Sequence, residues 1–362
     1  IPESPLDGLE SVEVTAWNDI VETADRHNVP GKFTAFIGWE WTSTPGGANQ
    51  HRVVMSTANA EQAKTFAPFG SDQSMYPDDL WNFLKDQTAK TGANFMSIPH
   101  NSNVSMGYMF DDKTLRGENM SPDYLALRTE FETVAEVTQI KGDGEAHPFL
   151  SPDDAFADYE TWDMGNLTLT ETKTDDMLQY EYGRSGLKLG LQLEKKFGVN
   201  PYKFGVGGAT DSHTGLSTAE EENFFGKSTS AEPTPTRAVH PFVKSELGAI
   251  EGYELSASGY QGVWANENTR EAIFDAMRRK EAYATTGSRM TVRFCGGWSF
   301  EESDLDARLP AYTGYEKGVP MGGELGEAKA KAPSFLVAAA KDPYSGNLDR
   351  IQIVKGWMDQ SG

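Results

Sequence analysis

With 362 residues, 38% of them hydrophobic and 11% aromatic, the chain has ample apolar material for one large domain or two smaller ones. A formal net charge of −22, from 54 acidic and 32 basic residues, argues against nucleic acid and anionic membrane as partners, and no run approaches the length of a membrane span. Cys295 is the sole cysteine, which excludes an intrachain disulfide and a thiol-rich zinc site, so any metal must be held by histidine and carboxylate.

Trp17, Ile20, Val21 and Ala24 recur at helical spacing and predict an amphipathic helix over 11–27, stopped by Asn28-Val29-Pro30-Gly31. His27 falls in its last turn, where the helix dipole favours an imidazolium. Residues 33–42 read as an apolar strand that finishes in a carboxylate, Glu40, between Trp39 and Trp41. A charge held there is costly unless a metal or a buried cation meets it; the alternative is a solvated strand-end carboxylate. Pro45-Gly46-Gly47-Ala48-Asn49-Gln50 makes a turn into a return strand, His51-Arg52-Val53-Val54-Met55. A helix over 77–89 with Leu80, Phe83 and Leu84 inward is capped by Gly92, and a strand over 94–99 delivers His100 and Asn101. A lone histidine in that place is more often structural than a ligand. Residues 103–122 read as a long connection over one face, the kind of segment where binding residues sit.

Residues 133–140 are β-rich and carry Glu136 at mid-strand among apolar neighbours, which is unusual for a surface strand. His147, in the polar loop beyond, reads as a ligand or, preferably, as a loop-pinning hydrogen bond. After an acidic, irregular stretch over 153–173, one helix is expected over 175–197. Its apolar residues are Leu178, Leu187, Leu189, Leu191 and Leu193, and Gly198 is its stop. The apolar strand that follows runs out into Thr210-Asp211-Ser212-His213-Thr214-Gly215. Two apart in extended chain, Asp211 and His213 can point the same way and suit a divalent metal, although such pairs also arise by chance or as a hydrogen-bonded couple.

The acidic loop over 219–222 and the Thr/Pro/Ser-rich run over 228–237 read as excursions, with His240 exposed beside them. Residues 255–263 look like a loop or short strand, and Asn268-Thr269-Arg270-Glu271 like a capping box opening a helix through Arg279. Residues 282–289 form a strand with a hydroxyl-rich, basic exit. From Met290 the texture changes to β-like runs over 292–294, 335–339 and 350–354, separated by Gly/Pro-rich turns. A boundary therefore falls between a unit over 1–289 and a partial β-rich unit over 290–362.

Alternating strand and helix from 11 to 289 predicts a parallel α/β sheet or barrel, and barrels carry their chemistry at the carboxyl ends of their strands. Four strands here supply Glu40, His100, Glu136, and Asp211 with His213. Such a set suits zinc, manganese or iron, one ion or more, with room for a water nucleophile. Glu40, His51 and Asp211 are the candidate catalytic residues. Arg52, Asn101, Thr286 and Arg289 are the candidate substrate-binding residues, since arginine grips an oxyanion through forked donors. The acidic balance does not exclude an anionic ester as substrate, because a bound cation inverts the sign locally. It also suits a salty medium, so a periplasmic or secreted location is favoured over a cytoplasmic one. Ile1-Pro2-Glu3-Ser4 lacks an initiator methionine and a signal-peptide pattern, and an earlier natural start is expected.

Phe36-Ile37-Gly38-Trp39-Glu40-Trp41-Thr42, Gln50-His51-Arg52, Ile98-Pro99-His100-Asn101, Glu136-Val137-Thr138-Gln139-Ile140-Lys141-Gly142-Asp143, Thr210-Asp211-Ser212-His213-Thr214-Gly215 and Tyr283-Ala284-Thr285-Thr286-Gly287 together resemble the domain-of-unknown-function 3604 family. The similarity spans nearly the whole chain. That family in turn resembles the polymerase and histidinol phosphatase (PHP) superfamily of metal-dependent phosphoesterases. The resemblance implies an incomplete, distorted (β/α)7 barrel over 1–289, followed by a partial, sandwich-like β-rich region. It implies Glu40, His100, Asp211 and His213 as metal ligands, with Glu136 as a further site residue. PHP proteins open on a His-x-His pair, whereas the histidines here are 27, 51, 100, 147, 213 and 240. The resemblance therefore implies a chain that starts after that block, with weakened metal binding. The function expected is hydrolysis of a phosphoester or another small oxyanion ester by a metal-bound water. The alternative is a non-catalytic carbohydrate- or anion-binding protein on the same scaffold.

Overall fold

Helix α1 (Glu10–His27) forms over the predicted span and turns Trp17 and Val21 into the core, while Ile20, expected on the same stripe, is half exposed. Strand β1 (Ile37–Trp41) begins later than predicted, because the chain before it is held as a loop by the Val29–Phe33 bridge and by the Asn28 side chain on the Ala35 N–H. Strand β2 (Arg52–Ser56), short helix α2 (Ala60–Ala63), helix α3 (Pro77–Thr91) and strand β3 (Phe95–Pro99) follow. Proline at the first turn, acidic Asp78 and Asp79 beside it, and Gly92 at φ 72 delimit α3 as the sequence indicates.

The first sheet is antiparallel, not parallel as expected. β1, β2 and β3 form an antiparallel sheet in that order, with Glu40 opposite Val53 and Val53 opposite Ile98. The connection over 42–51 is too short for the crossover a parallel pair needs. Period two then divides the sheet. Ile37, Trp39 and Trp41 pack with Trp17, Phe66 and the α3 residues Leu80, Trp81 and Leu84 on one side, and Glu40 faces the other.

Helix α4 (Pro122–Phe131), capped by Ser121 on the Tyr124 N–H, follows the connection expected over 103–122. Strand β4 (Val134–Gln139) is buried at every position and carries the short strand β5 (Gly142–Asp143). The single helix expected over 175–197 is broken into α5 (Asp175–Leu178) and α6 (Gly183–Phe197). The break is imposed by packing: Tyr182 is extended and buried, and the Gly183 N–H donates to the Gly144 carbonyl. Leu193, with Leu189 packed beside it, supplies the leucine part of the inner face of α6, and glycines supply the rest. Gly186 and Gly190 let Phe110, Asn200 and Tyr202 approach its backbone, and Leu187 is exposed. Strand β6 (Gly205–Gly208) lies parallel to β4, the one parallel pairing among the named strands of the described residues.

Strands β7 (Pro241–Ser245) and β8 (Gly248–Glu251) form a hairpin that the sequence does not announce. Strand β9 (Tyr260–Val263), helix α7 (Arg270–Arg278) and strand β10 (Ala282–Thr285) follow, with β10 antiparallel to β9. The α7 cap is simpler than the predicted box, a single bond from the Ala272 N–H to Thr269, while Asn268 accepts from Thr34. Gly208 brings β6 against this pair: a Cβ there would stand 2.9 Å from the Tyr260 carbonyl oxygen and 3.3 Å from that of Thr285. Strand β11 (Thr291–Gly297), helix α8 (Pro310–Lys317), strand β12 (Gly318–Pro320) and strand β13 (Ser334–Ala340) follow, the strands pairing antiparallel in the order β12-β11-β13. The β-like run over 350–354 forms no strand and is exposed, since no neighbouring strand offers it a ladder.

The fold is mixed α/β. The structure, a computed structural model, describes residues 10–215, 218–223, 226–228, 234–255, 259–326 and 331–359. Among them the strands make five small sheets and no closed barrel. Ile1-Pro2-Glu3-Ser4, 229–233 of the Thr/Pro/Ser-rich run and 256–258 of the expected loop lie outside the described residues. No helix of the described residues is long and apolar enough to cross a membrane.

Candidate metal centre

The side of the β1–β3 sheet turned away from the tryptophans carries the polar ends of a cavity of about 510 Å3, lined by Val53, Met55 and Ile98 and, at its polar margin, by His100 and Glu136. Alternation places Glu40 on this face of β1 and, by continuing past Ile98, places His100 just beyond β3 on the same face. His51 stands immediately before β2. Glu40 Oε1 meets His51 Nδ1 at 2.8 Å and His100 Nε2 at 3.2 Å, and the two rings lie edge to face with centroids 5.6 Å apart. Thr44 Oγ1 holds the other His51 nitrogen at 2.9 Å. His100 is almost fully buried, and its Nδ1 has no hydrogen-bond partner among the described residues.

A second group arises where the chain leaves β6. Asp211 and His213 converge, with His213 Nε2 at 3.2 Å from Asp211 Oδ1. The cause differs from the expected extended strand: β6 ends at Gly208, and Asp211 sits at φ 52, so a turn rather than period two brings the side chains together. Glu40 joins the two halves. Ligand atoms of Glu40, His51 and His100 lie within 4.8 Å of one another, and so do those of Glu40, Asp211 and His213. His51, read from sequence as catalytic, is thereby also a ligand candidate. Glu136 belongs to neither group, although its side chain is buried beside His100 and lines the same cavity.

The electrostatics of these groups suit a cation. Burial pushes the Glu40 carboxyl up, but hydrogen bonds from His100 and His51 outweigh it and hold Glu40 far below the usual carboxylate range. Burial lowers His51 against the pull of Glu40, and burial with the Lys227 charge lowers His213, so both imidazoles favour the neutral, lone-pair form a metal needs. Burial raises Glu136 to about 7. Two lysines that the sequence does not single out complete the site. Lys141 Nζ and Lys227 Nζ both ion-pair Asp211 Oδ2. Burial and the neighbouring Lys227 push Lys141 down, and burial brings Lys227 to about 8. A signal for Lys141 existed, a lysine directly after a buried strand; Gly226-Lys227-Ser228 offers none.

The expected substrate-binding residues are elsewhere. Arg52 points to the opposite face of β2 and is fully buried, its Nε on Glu132 Oε1 at 2.9 Å and its Nη1 on Gln50 Oε1 at 3.1 Å. Asn101 is a buried brace at φ 48: its Oδ1 accepts from Gln139 Nε2 at 2.6 Å, and Asn49 Nδ2 ties the His100 and Asn101 carbonyls at 2.6 and 3.2 Å. Thr286 and Arg289 line a different crevice, with Tyr159, Asp342 and Tyr344, where the Arg289 guanidinium lies 5.5 Å from the Tyr260 ring centre. His147 pins its loop as preferred from sequence, 2.9 Å from Asp163 and accepting the Phe149 N–H at 3.1 Å. His27 and His240 are exposed.

Three imidazoles and two carboxylates, with one orphaned buried imidazole nitrogen, form a donor set that fits zinc, manganese or iron, and no thiolate competes. No curated protein and no solved structure matches the chain. A family model described as "Protein of unknown function (DUF3604)" matches residues 4–362, and the chain belongs to that family.

Proposed function

We propose that the protein is a metal-dependent hydrolase that cleaves a phosphoester or another small oxyanion ester, on a scaffold related to the PHP barrels. The observation that carries this reading is Glu40, the one carboxylate shared by both ligand groups. His51 and His100 with Glu40 would hold one divalent ion, and Asp211 and His213 with Glu40 a second. Such ions supply a water acidic enough to attack at neutral pH and a positive field for the oxyanion. The chain's own residues do the rest. Asn49, Asn101 and Gln139 fix the backbone that carries His100. Thr44 orients the His51 ring, and buried Glu136 stands at the cavity wall to hold a proton. A carbohydrate or anion carrier would share the pocket but not turn over.

The test is elemental analysis of protein equilibrated with zinc or manganese, alongside turnover of p-nitrophenyl phosphate. Bound metal that Glu40→Gln removes, with turnover lost in parallel, is the expected result. A protein that takes up no metal, or takes it up equally without Glu40, overturns the reading.

A further inference from the structure

Two cations stand at the candidate centre with no part in the chemistry assigned to the metal ligands. Lys141 follows β4, and Lys227 lies on the segment that bridges to His213; they are 5% and 6% exposed. Both ammonium groups converge on one atom, Asp211 Oδ2, with Lys227 at 2.8 Å, and Lys227 also donates to the Asp211 carbonyl. A single charge neutralises a carboxylate. A second buried lysine on the same oxygen has its further counter-charge, among the described residues, only in Glu40 and Glu136, the carboxylates of the centre itself. The Lys227 charge also reaches Glu40 and Glu136, so the pair faces the centre rather than the solvent.

Asp211 is itself a candidate ligand. A divalent ion held by Glu40, His213 and the Asp211 oxygen that faces His213 would draw on the Asp211 charge and leave the two lysines on Oδ2 with less of their counter-charge. The two arginines expected to grip an anion are committed elsewhere, Arg52 to Glu132 and Arg289 to the wall of another crevice. We infer that Lys141 and Lys227 form the clamp for the tetrahedral oxyanion of the substrate, a phosphate or sulfate group, at the Asp211 side of the centre. This rests on the hydrolase reading above. Ammonium groups suit the task as compact point charges with freely rotating donors.

The experiment uses the zinc- or manganese-loaded protein and the variants Lys141→Met, Lys227→Met and the charge-preserving Lys227→Arg. Metal per chain is measured by elemental analysis, and affinity for inorganic phosphate and for sulfate by calorimetry. Metal content should stay at the wild-type value while each Lys→Met variant weakens binding of the preferred anion about tenfold or more, and Lys227→Arg should stay within about threefold. Whichever of phosphate and sulfate binds tighter names the ester. Unchanged anion affinity at full metal content overturns the clamp, and so does loss of metal along with the lysines, which would make them supports of Asp211. Failure of the wild type to take up metal sinks the hydrolase reading alone. The clamp is then judged in metal-free Asp211→Asn, where the freed lysines should create a phosphate site that Lys141→Met removes; its absence overturns the clamp as well.

Discussion

Replacing Arg52 by methionine separates a guanidinium that holds the fold from one that holds a substrate. Arg52 Nε bonds Glu132 Oε1 at 2.9 Å, Arg128 Nε bonds Glu132 Oε2 at 2.9 Å, and the three side chains are between 1% and 3% exposed. In Arg52→Met the Arg128 charge still neutralises Glu132, and the charge-assisted bonds to Glu132 Oε1, the Gln50 carbonyl and Gln50 Oε1 are lost, each roughly 1.5–3 kcal/mol, offset in large part because a desolvated guanidinium is gone. A net destabilisation of about 2 kcal/mol is expected. Glu132→Gln is the harsher change: two buried guanidinium groups lose their shared counter-charge, which costs about 3–5 kcal/mol. Urea unfolding followed by tryptophan fluorescence reads both, since Trp41 and Trp81 lie 5.8 Å from the Arg52 and Arg128 guanidinium carbons. Metal content and phosphate affinity are measured on the same samples and should not change in Arg52→Met. If that variant kept wild-type stability but lost phosphate affinity, the buried-network account would be wrong, and Arg52 would return to the substrate.

Two glycine substitutions test the packing of α6. In Gly190→Ala the new Cβ collides with Asn200 Oδ1 and stands 3.0 Å from Tyr202 Cβ, so a loss of about 1–3 kcal/mol is expected. In Gly198→Ala the Cβ meets nothing within 4 Å and the cost is the φ of 75, about 1 kcal/mol; thermal melts that reverse this order refute the glycine-faced helix. Asp143 titrates in a measurable window, because burial raises its carboxyl from 3.8 to about 7 against the Glu145 and Ala146 N–H bonds. A raised folded value means that its contribution is fully present below pH about 4 and is lost as pH rises through about 7, an effect on the order of 4 kcal/mol. Asp143→Asn should flatten the fall in melting temperature over that window, and an unchanged slope would assign the loss to other groups. His147→Ala should leave metal content unchanged while making the 147–163 loop easier to cleave by protease; lost metal would restore His147 as a ligand.

What could be read from the sequence was which strand ends bring candidate ligands together, because an apolar run that stops at Glu40, at His100 or shortly before Asp211 is a one-dimensional signal. Pairing is not one-dimensional. The strand-helix alternation that predicted parallel strands is equally satisfied by β2 and β3 running antiparallel with α2 and α3 between them, and only the packing of Leu80, Trp81 and Leu84 on the tryptophan face settles the direction. The same limit explains why Arg52 is expected at the centre and lies away from it. His51 and Arg52 are adjacent, so in extended chain they must point to opposite faces, and both could not serve one centre. Choosing between them required knowing that Val53 and Met55 line the cavity while Val54 lies in the tryptophan-rich core, and Val-Val-Met carries no trace of that difference. Once the face is known, the chemistry follows by elimination. The arginine goes where Glu132 from α4 can neutralise it in the interior, the histidine goes to Glu40, and the cations left at the centre are Lys141 and Lys227, brought there by β4 and by a segment with no secondary structure for the sequence to announce.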